Sequence, residues 1–92
     1  MDYQQSIAET VDVLRLIHEV LADLEDRRTG EAAEKLRAGL SGSMDNLPAS
    51  VAEQTTNLLA AAYGALLGPD PDPQHAAGML HDLLQLYSRQ LR

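Results

Sequence analysis

The side chains able to do chemistry are few and scattered. Three histidines occur, His18, His75 and His81. An imidazole exposed on a helix could accept a phosphoryl group or shuttle a proton. A metal site would need two ligands three or four residues apart on one helix face, and a third from elsewhere. Asp72 and His75 have that spacing, but Asp72 reads better as a helix cap, and no third ligand is evident. His75 and His81 are six apart and point in different directions. Glu19, Asp23 and Asp26 could pair as acid–base carboxylates, but on the polar side of a helix they read as a solvated surface. Ser41 and Ser43 lie in a Gly-bearing segment without a nucleophile-elbow pattern. Cysteine is absent, which excludes disulfides, thiol chemistry and cysteine-ligated zinc or iron–sulfur sites. The expectation is no catalytic residue, no cofactor and no metal.

Two small helical classes set the comparison for any remaining chemistry. Histidine phosphotransfer domains share a motif resembling His-x-Leu-Lys-Gly. His18 is followed by Glu-Val-Leu and His81 by Asp-Leu-Leu, so neither has the Lys or the Gly. Acyl carriers resemble one another in an Asp-Ser-Leu attachment site, and this chain has no such tripeptide.

Composition narrows the partners. The chain has 92 residues, enough for one small domain. Lys and Arg total 7 against 14 Asp and Glu, a net charge of −7. Nucleic-acid phosphates and anionic membrane surfaces both call for clustered cations, so neither fits. No apolar stretch approaches the roughly 20 residues of a membrane span. Met1 to Ser6 lacks the basic-then-apolar layout of a signal peptide, so a cytoplasmic location is expected. Hydrophobic residues make up 45%, with no Phe, no Trp and 3 Tyr, so the core must be aliphatic.

The elements that would position any site are helices. Ile7, Val11, Leu14, Ile17, Leu21 and Leu24 recur at three- and four-residue steps, with Val13 and Val20 beside them. They predict an amphipathic helix from Ser6 to about Arg28. Leu16 lies opposite that stripe. Ser6-Ile-Ala-Glu9 reads as a capping box, and Asp23 can pair with Arg27. Thr29-Gly30 supplies a break. A shorter helix from Glu31 to Leu40 places Ala32, Ala33, Leu36 and Leu40 on one face, and Glu31 can pair with Lys35. It must pack on its predecessor, because isolated helices under roughly 12 residues are marginal. A third helix opens near Pro48 and Ser50-Val-Ala-Glu53, a second capping box, and runs to about Leu67. It is nearly apolar all round, which predicts a central or covered position. After Gly68-Pro-Asp-Pro-Asp-Pro73, Asp72 caps a last helix whose stripe is Ala76, Leu80, Leu83, Tyr87 and Leu91. The fold class is all-α: a four-helix up-down bundle of two hairpins.

The halves resemble each other at an offset of 44. Ser6, Glu9, Leu14 and Asp26 meet Ser50, Glu53, Leu58 and Asp70, while Ala32, Ala33, Leu36 and Leu40 meet Ala76, Ala77, Leu80 and Leu84. Any two Leu/Ala-rich hairpins share many such matches. Between the halves, Gly42-Ser43-Met44 reads as a Gly/Ser join followed by an initiating Met, or as an ordinary loop. In the first reading residues 1–41 and 44–92 come from two polypeptides.

This hairpin layout and seam resemble the four-helix-bundle docking domains of modular polyketide synthases, especially the trans-acyltransferase kind. In those, a C-terminal helical pair of one subunit docks onto an N-terminal pair of the next. The resemblance implies that residues 1–41 are an upstream tail and that Met44 begins the downstream partner. Both parts are acidic: residues 1–43 hold nine acids and five bases, net −4, and residues 44–92 five and two, net −3. Charge steering between them would be weak.

The expected function is a non-catalytic protein–protein docking module. Its partner would be another helical hairpin or the terminus of a partner subunit. The expected interface residues are Val11, Leu14, Ile17, Leu21, Leu24, Leu36 and Leu40 in the first half. In the second they are Val51, Leu58, Ala62, Leu66, Leu80, Leu83, Tyr87 and Leu91. Surplus leucines such as Leu59, Leu67 and Leu86 would suit a homo-oligomer surface. The alternatives are a single-chain acidic bundle acting as a secretion chaperone, immunity protein or anti-activator, and a histidine phosphotransfer domain.

Overall fold

The computed structural model describes residues 3–42 and 44–90. They form four helices: α1 (Tyr3–Glu25), α2 (Thr29–Leu40), α3 (Ala49–Leu66) and α4 (Pro73–Gln90). No strand occurs among the described residues. Each helix packs on its chain neighbours, and α1 closes the ring against α4, giving an up-down four-helix bundle of 42 × 24 × 19 Å.

The helix ends differ from their sequence signals. Ser6 lies inside α1, where its carbonyl accepts the Thr10 hydroxyl at 2.8 Å, so the expected capping box is not formed. Glu9 turns elsewhere. Pro48 is the N-cap of α3 and no side chain caps that end, so Ser50 and Glu53 form no box either. The break after α1 is made by Arg27 rather than Gly30, which belongs to α2. Arg27 sits at φ 64, and the Arg27 and Arg28 amides donate to Leu24 O at 3.1 Å and Asp23 O at 2.7 Å. That pairing is a Schellman turn with an arginine where glycine is usual. The Asp72 cap is formed as expected: its Oδ1 accepts the His75 amide at 3.0 Å, with Pro73 opening α4.

One core runs through the bundle. Ile17, Val20, Leu36, Leu59, Leu80 and Leu83 are fully buried. Ala32, Ala62 and Ala76 are equally buried and let the backbones approach. On α1 the expected stripe is displaced. Its centre is Val13, Ile17, Val20 and Leu24, with Leu14, Leu16 and Leu21 half-buried beside it. Ile7 and Val11 face outward, 46% and 44% exposed. Leu16, expected opposite the stripe, packs where α1 crosses α2, and its Cδ2 methyl fills the space a Cβ on Gly39 would need. Helix α3 is not covered all round: Ala60, Ala61 and Gly64 are exposed, as is Leu67 just past its end.

The 44-residue correspondence divides by helix. Ala32 and Leu36 of α2 and their counterparts Ala76 and Leu80 of α4 are all fully buried. The core residues Val13, Ile17 and Val20 of α1 correspond to Asn57, Ala61 and Gly64, which α3 exposes. The second helices of the two hairpins therefore share a register, while the first helices turn different sides inward.

Candidate docking interface

The seam between the hairpins is the candidate site, built where α2 meets α3 and α1 meets α4. Nine of the fifteen expected interface residues line the shared core: Ile17, Leu24, Leu36, Val51, Ala62, Leu66, Leu80, Leu83 and Tyr87. Leu14, Leu21, Leu40 and Leu58 are half-buried at its margin. Val11 is 44% exposed and is no part of the core, because the inward side of α1 is turned toward Val13 and Val20. Leu91 lies outside the described residues, as does Ser43 of the expected seam.

The expected interface left out six residues that are buried: Val13 and Val20, read only as flanking the α1 stripe, Leu59, read as a surplus leucine, and Thr55, Leu47 and Asp23. The first two sit one residue before Leu14 and Leu21, so two stripes about 100° apart competed on α1. Thr55, Leu59, Ala62 and Leu66 carry a helical spacing of four, three and four, but a threonine and an alanine interrupt its hydropathy. Leu47 belongs to no helix, so no periodicity marks it.

Three polar contacts fix the packing. The buried Thr55 hydroxyl donates to Val51 O at 2.7 Å, which leaves its oxygen to accept the Tyr87 hydroxyl, also at 2.7 Å. This pair locks the α3–α4 register from inside the core. Burial holds the Tyr87 phenol above its ordinary value, helped by the negative charge of Glu9 and opposed by the Thr55 hydrogen bond.

Asp23, expected on a solvated face, is 5% exposed and meets Lys35 of α2 at 2.7 Å. It therefore pairs neither with Arg27 nor leaves Lys35 to Glu31; Glu31 lies 3.7 Å from Arg28 instead. The contact is a close ion pair between the Lys35 ammonium and the Asp23 carboxylate. Asp23, first through this contact and then through its charge, holds the Lys35 ammonium above the ordinary lysine range, against the opposing effect of desolvation.

The third contact ties the halves. Glu9 of α1 accepts the Asn46 amide with Oε2 at 3.0 Å and Oε1 at 3.4 Å. Beside it the Leu47 amide closes a turn onto Met44 O at 3.2 Å, and the Leu47 side chain is buried. The segment joining the hairpins is therefore pinned against the first helix. A shallow cleft lies next to it between α1 and α2, floored by Val13, Leu16, Gly39 and Leu59 and rimmed by Glu9 and Lys35.

His18, His75 and His81 are all exposed. Among the described residues no three His, Asp or Glu side chains gather as metal ligands. No described helix is long and apolar enough to cross a membrane. Neither a protein-family model, nor a curated protein, nor a solved structure matches the chain.

Proposed function

We propose that the chain is a non-catalytic docking module in which residues 1–41 and 44–92 recognise each other as two helical hairpins in the cytoplasm. The observation that carries this reading is the division of one core between the hairpins. Val13, Ile17, Val20, Ala32 and Leu36 come from the first, and Val51, Leu59, Ala62, Leu80, Leu83 and Tyr87 from the second. Neither hairpin encloses a core of its own, and a chain of this half-length lies well below the roughly 70 residues at which a core stands alone. Each would keep an aliphatic face in water until it met its mate, which is the condition for recognition by helical packing. Subunit-to-subunit docking in a polyketide synthase assembly line fits this division, with residues 1–41 as the upstream end and Met44 opening the downstream one. Register between the hairpins would come from packing rather than from charge steering, because both halves are acidic.

The test is to make residues 1–41 and 44–92 as separate chains, mix them, and follow helicity and heat. Gain of helicity with saturable binding is the expected outcome. Halves that never recombine, while the intact chain melts as one unit, refute it. A second reading, a single-chain acidic bundle that binds an external protein, draws on the Glu9–Asn46 contact and the buried Leu47. Those features make the joining segment part of the fold rather than a loose tether.

A further inference from the structure

The cleft beside the joining segment is edged by carboxylates. Glu9, Asp12 and Glu19 of α1 stand along it, and Lys35 lines it from α2. Lys35 is already engaged by Asp23 at 2.7 Å, so the charge left over in the cleft is negative. Arg15, a second base on this part of α1, is exposed and does not line the cleft. Gly42 and Met44 complete the wall, so the chain enters the second hairpin along this cleft. Glu9 holds that entry by its main chain: Oε2 and Oε1 accept the Asn46 amide at 3.0 and 3.4 Å. Two residues of chain span at most about 7 Å, which keeps the Met44 nitrogen within that distance of the Asn46 nitrogen. Met44 packs half-buried against the core, its sulfur accepts the Thr56 hydroxyl at 3.7 Å, and its carbonyl accepts the Leu47 amide at 3.2 Å. These contacts fix where the Met44 main chain lies.

We propose that this cleft receives an amino terminus: the α-ammonium of a second-hairpin chain that begins at Met44, held by Glu9 and Asp12. The inference rests on the reading that the two hairpins meet as separate chains. Its ground is charge complementarity at an interface already formed. In the continuous chain the Met44 nitrogen is a neutral amide and brings no charge to the cleft. Where Met44 opens a chain, the same nitrogen is positively charged below about pH 8. It then enters a cleft edged by three carboxylates, beside a main-chain amide that Glu9 already binds. Such a site reads the end of a chain rather than its side chains, as in the capture of terminal amines. It also supplies a direction that side-chain charge does not. Both halves are acidic, and a free ammonium places one cation on the second hairpin at the point where it meets the carboxylates of the first. A like hairpin embedded within a longer chain carries no such charge, so the cleft favours partners in which the hairpin comes first.

The experiment starts from the intact, folded chain. A protease sequence is placed after Ser41 so that cutting leaves either Met44 or Gly42-Ser43-Met44 at the new amino terminus. The second form moves the ammonium about 7 Å along the chain and changes no charge. Dilution of each cut complex at pH 7, followed by circular dichroism, gives the affinity of its two parts. The form beginning at Met44 should bind at least about threefold more tightly, the scale of one exposed ion pair. Glu9→Gln and Asp12→Asn together should remove that advantage while leaving the uncut chain helical, since each keeps an acceptor in place. Equal affinities of the two cut forms overturn the ammonium site and leave the docking reading standing. An advantage that survives the double variant overturns it too, by placing the amine elsewhere. Parts that separate in both forms at micromolar concentration overturn the docking reading and this inference with it.

Discussion

The Thr55–Tyr87 pair allows a stability argument to be worked in both directions. Thr55 is fully buried and Tyr87 is 2% exposed, so neither hydroxyl has water as a ready substitute. The hydrogen bonds run in a chain, from Tyr87 to Thr55 and from Thr55 to Val51 O. Tyr87→Phe removes the first donor but leaves the Thr55 hydroxyl bonded to its carbonyl, a loss of about 1 kcal/mol. Thr55→Val keeps the shape but strands the buried Tyr87 hydroxyl, which costs about 1–3 kcal/mol for the unmet group. The double variant removes both polar partners, so most of that penalty disappears. It should be no less stable than Thr55→Val alone, and the coupling between the sites should be about 1–2 kcal/mol. The assay is equilibrium urea denaturation followed by circular dichroism on all four proteins. Strictly additive losses, or a Thr55→Val protein as stable as the wild type, would show that the tyrosine hydroxyl finds another partner. The claim that this pair fixes the α3–α4 register would then fail.

Three other perturbations test separate parts of the structure. Arg27→Gly relieves a left-handed residue at the end of α1 and should stabilise the protein by about 0.5–1 kcal/mol in the same denaturation assay; a loss would mean that the arginine side chain matters more than its backbone strain. Leu59→Ala, in the centre of the core, should cost about 2–5 kcal/mol, whereas Leu21→Ala, half-buried at the margin, should cost visibly less; equal losses would contradict the displaced stripe of α1. Tyr87 and Lys35 both have folded-state values raised above the ordinary 10.0 and 10.5, so their stabilising contributions are complete below about pH 10 and are lost as pH rises through the folded values. The titration of these groups should therefore leave the melting temperature independent of pH near neutrality and lower it in the alkaline range, less steeply in Tyr87→Phe and in Lys35→Met; an unchanged alkaline limb in both variants would remove these groups as its cause.

The all-α class and the four helices were legible in the sequence because apolar residues at three- and four-residue steps have one geometric reading. The α4 stripe came through at Ala76, Leu80, Leu83 and Tyr87, and so did the Asp72 cap. There a proline fixes the start, and the flanking positions hold no competing aliphatic run of equal weight. The two capping boxes did not form, because a side-chain cap is worth only about 1 kcal/mol and the packing of α1 and α3 set where those helices begin. The Gly30 break lost to Arg27 for the same reason. The position of the turn was dictated by where α2 must lie to bury Ala32 and Leu36.

What the sequence determined by itself is the set of amphipathic helices, their order and the acidic charge. Those depend on neighbours within one turn of helix. Which side of α1 turns inward was decided by tertiary structure alone. Val13 and Val20 compete there with Leu14 and Leu21, and only the placement of α2 and α4 on either side chooses between two stripes of similar hydropathy. Tertiary structure likewise paired Asp23 with Lys35, Thr55 with Tyr87, and Glu9 with the Asn46 amide. Each pair joins residues at least twelve apart in the chain. Helical periodicity carries no information across a turn, so only the closed bundle brings such groups within reach of one another.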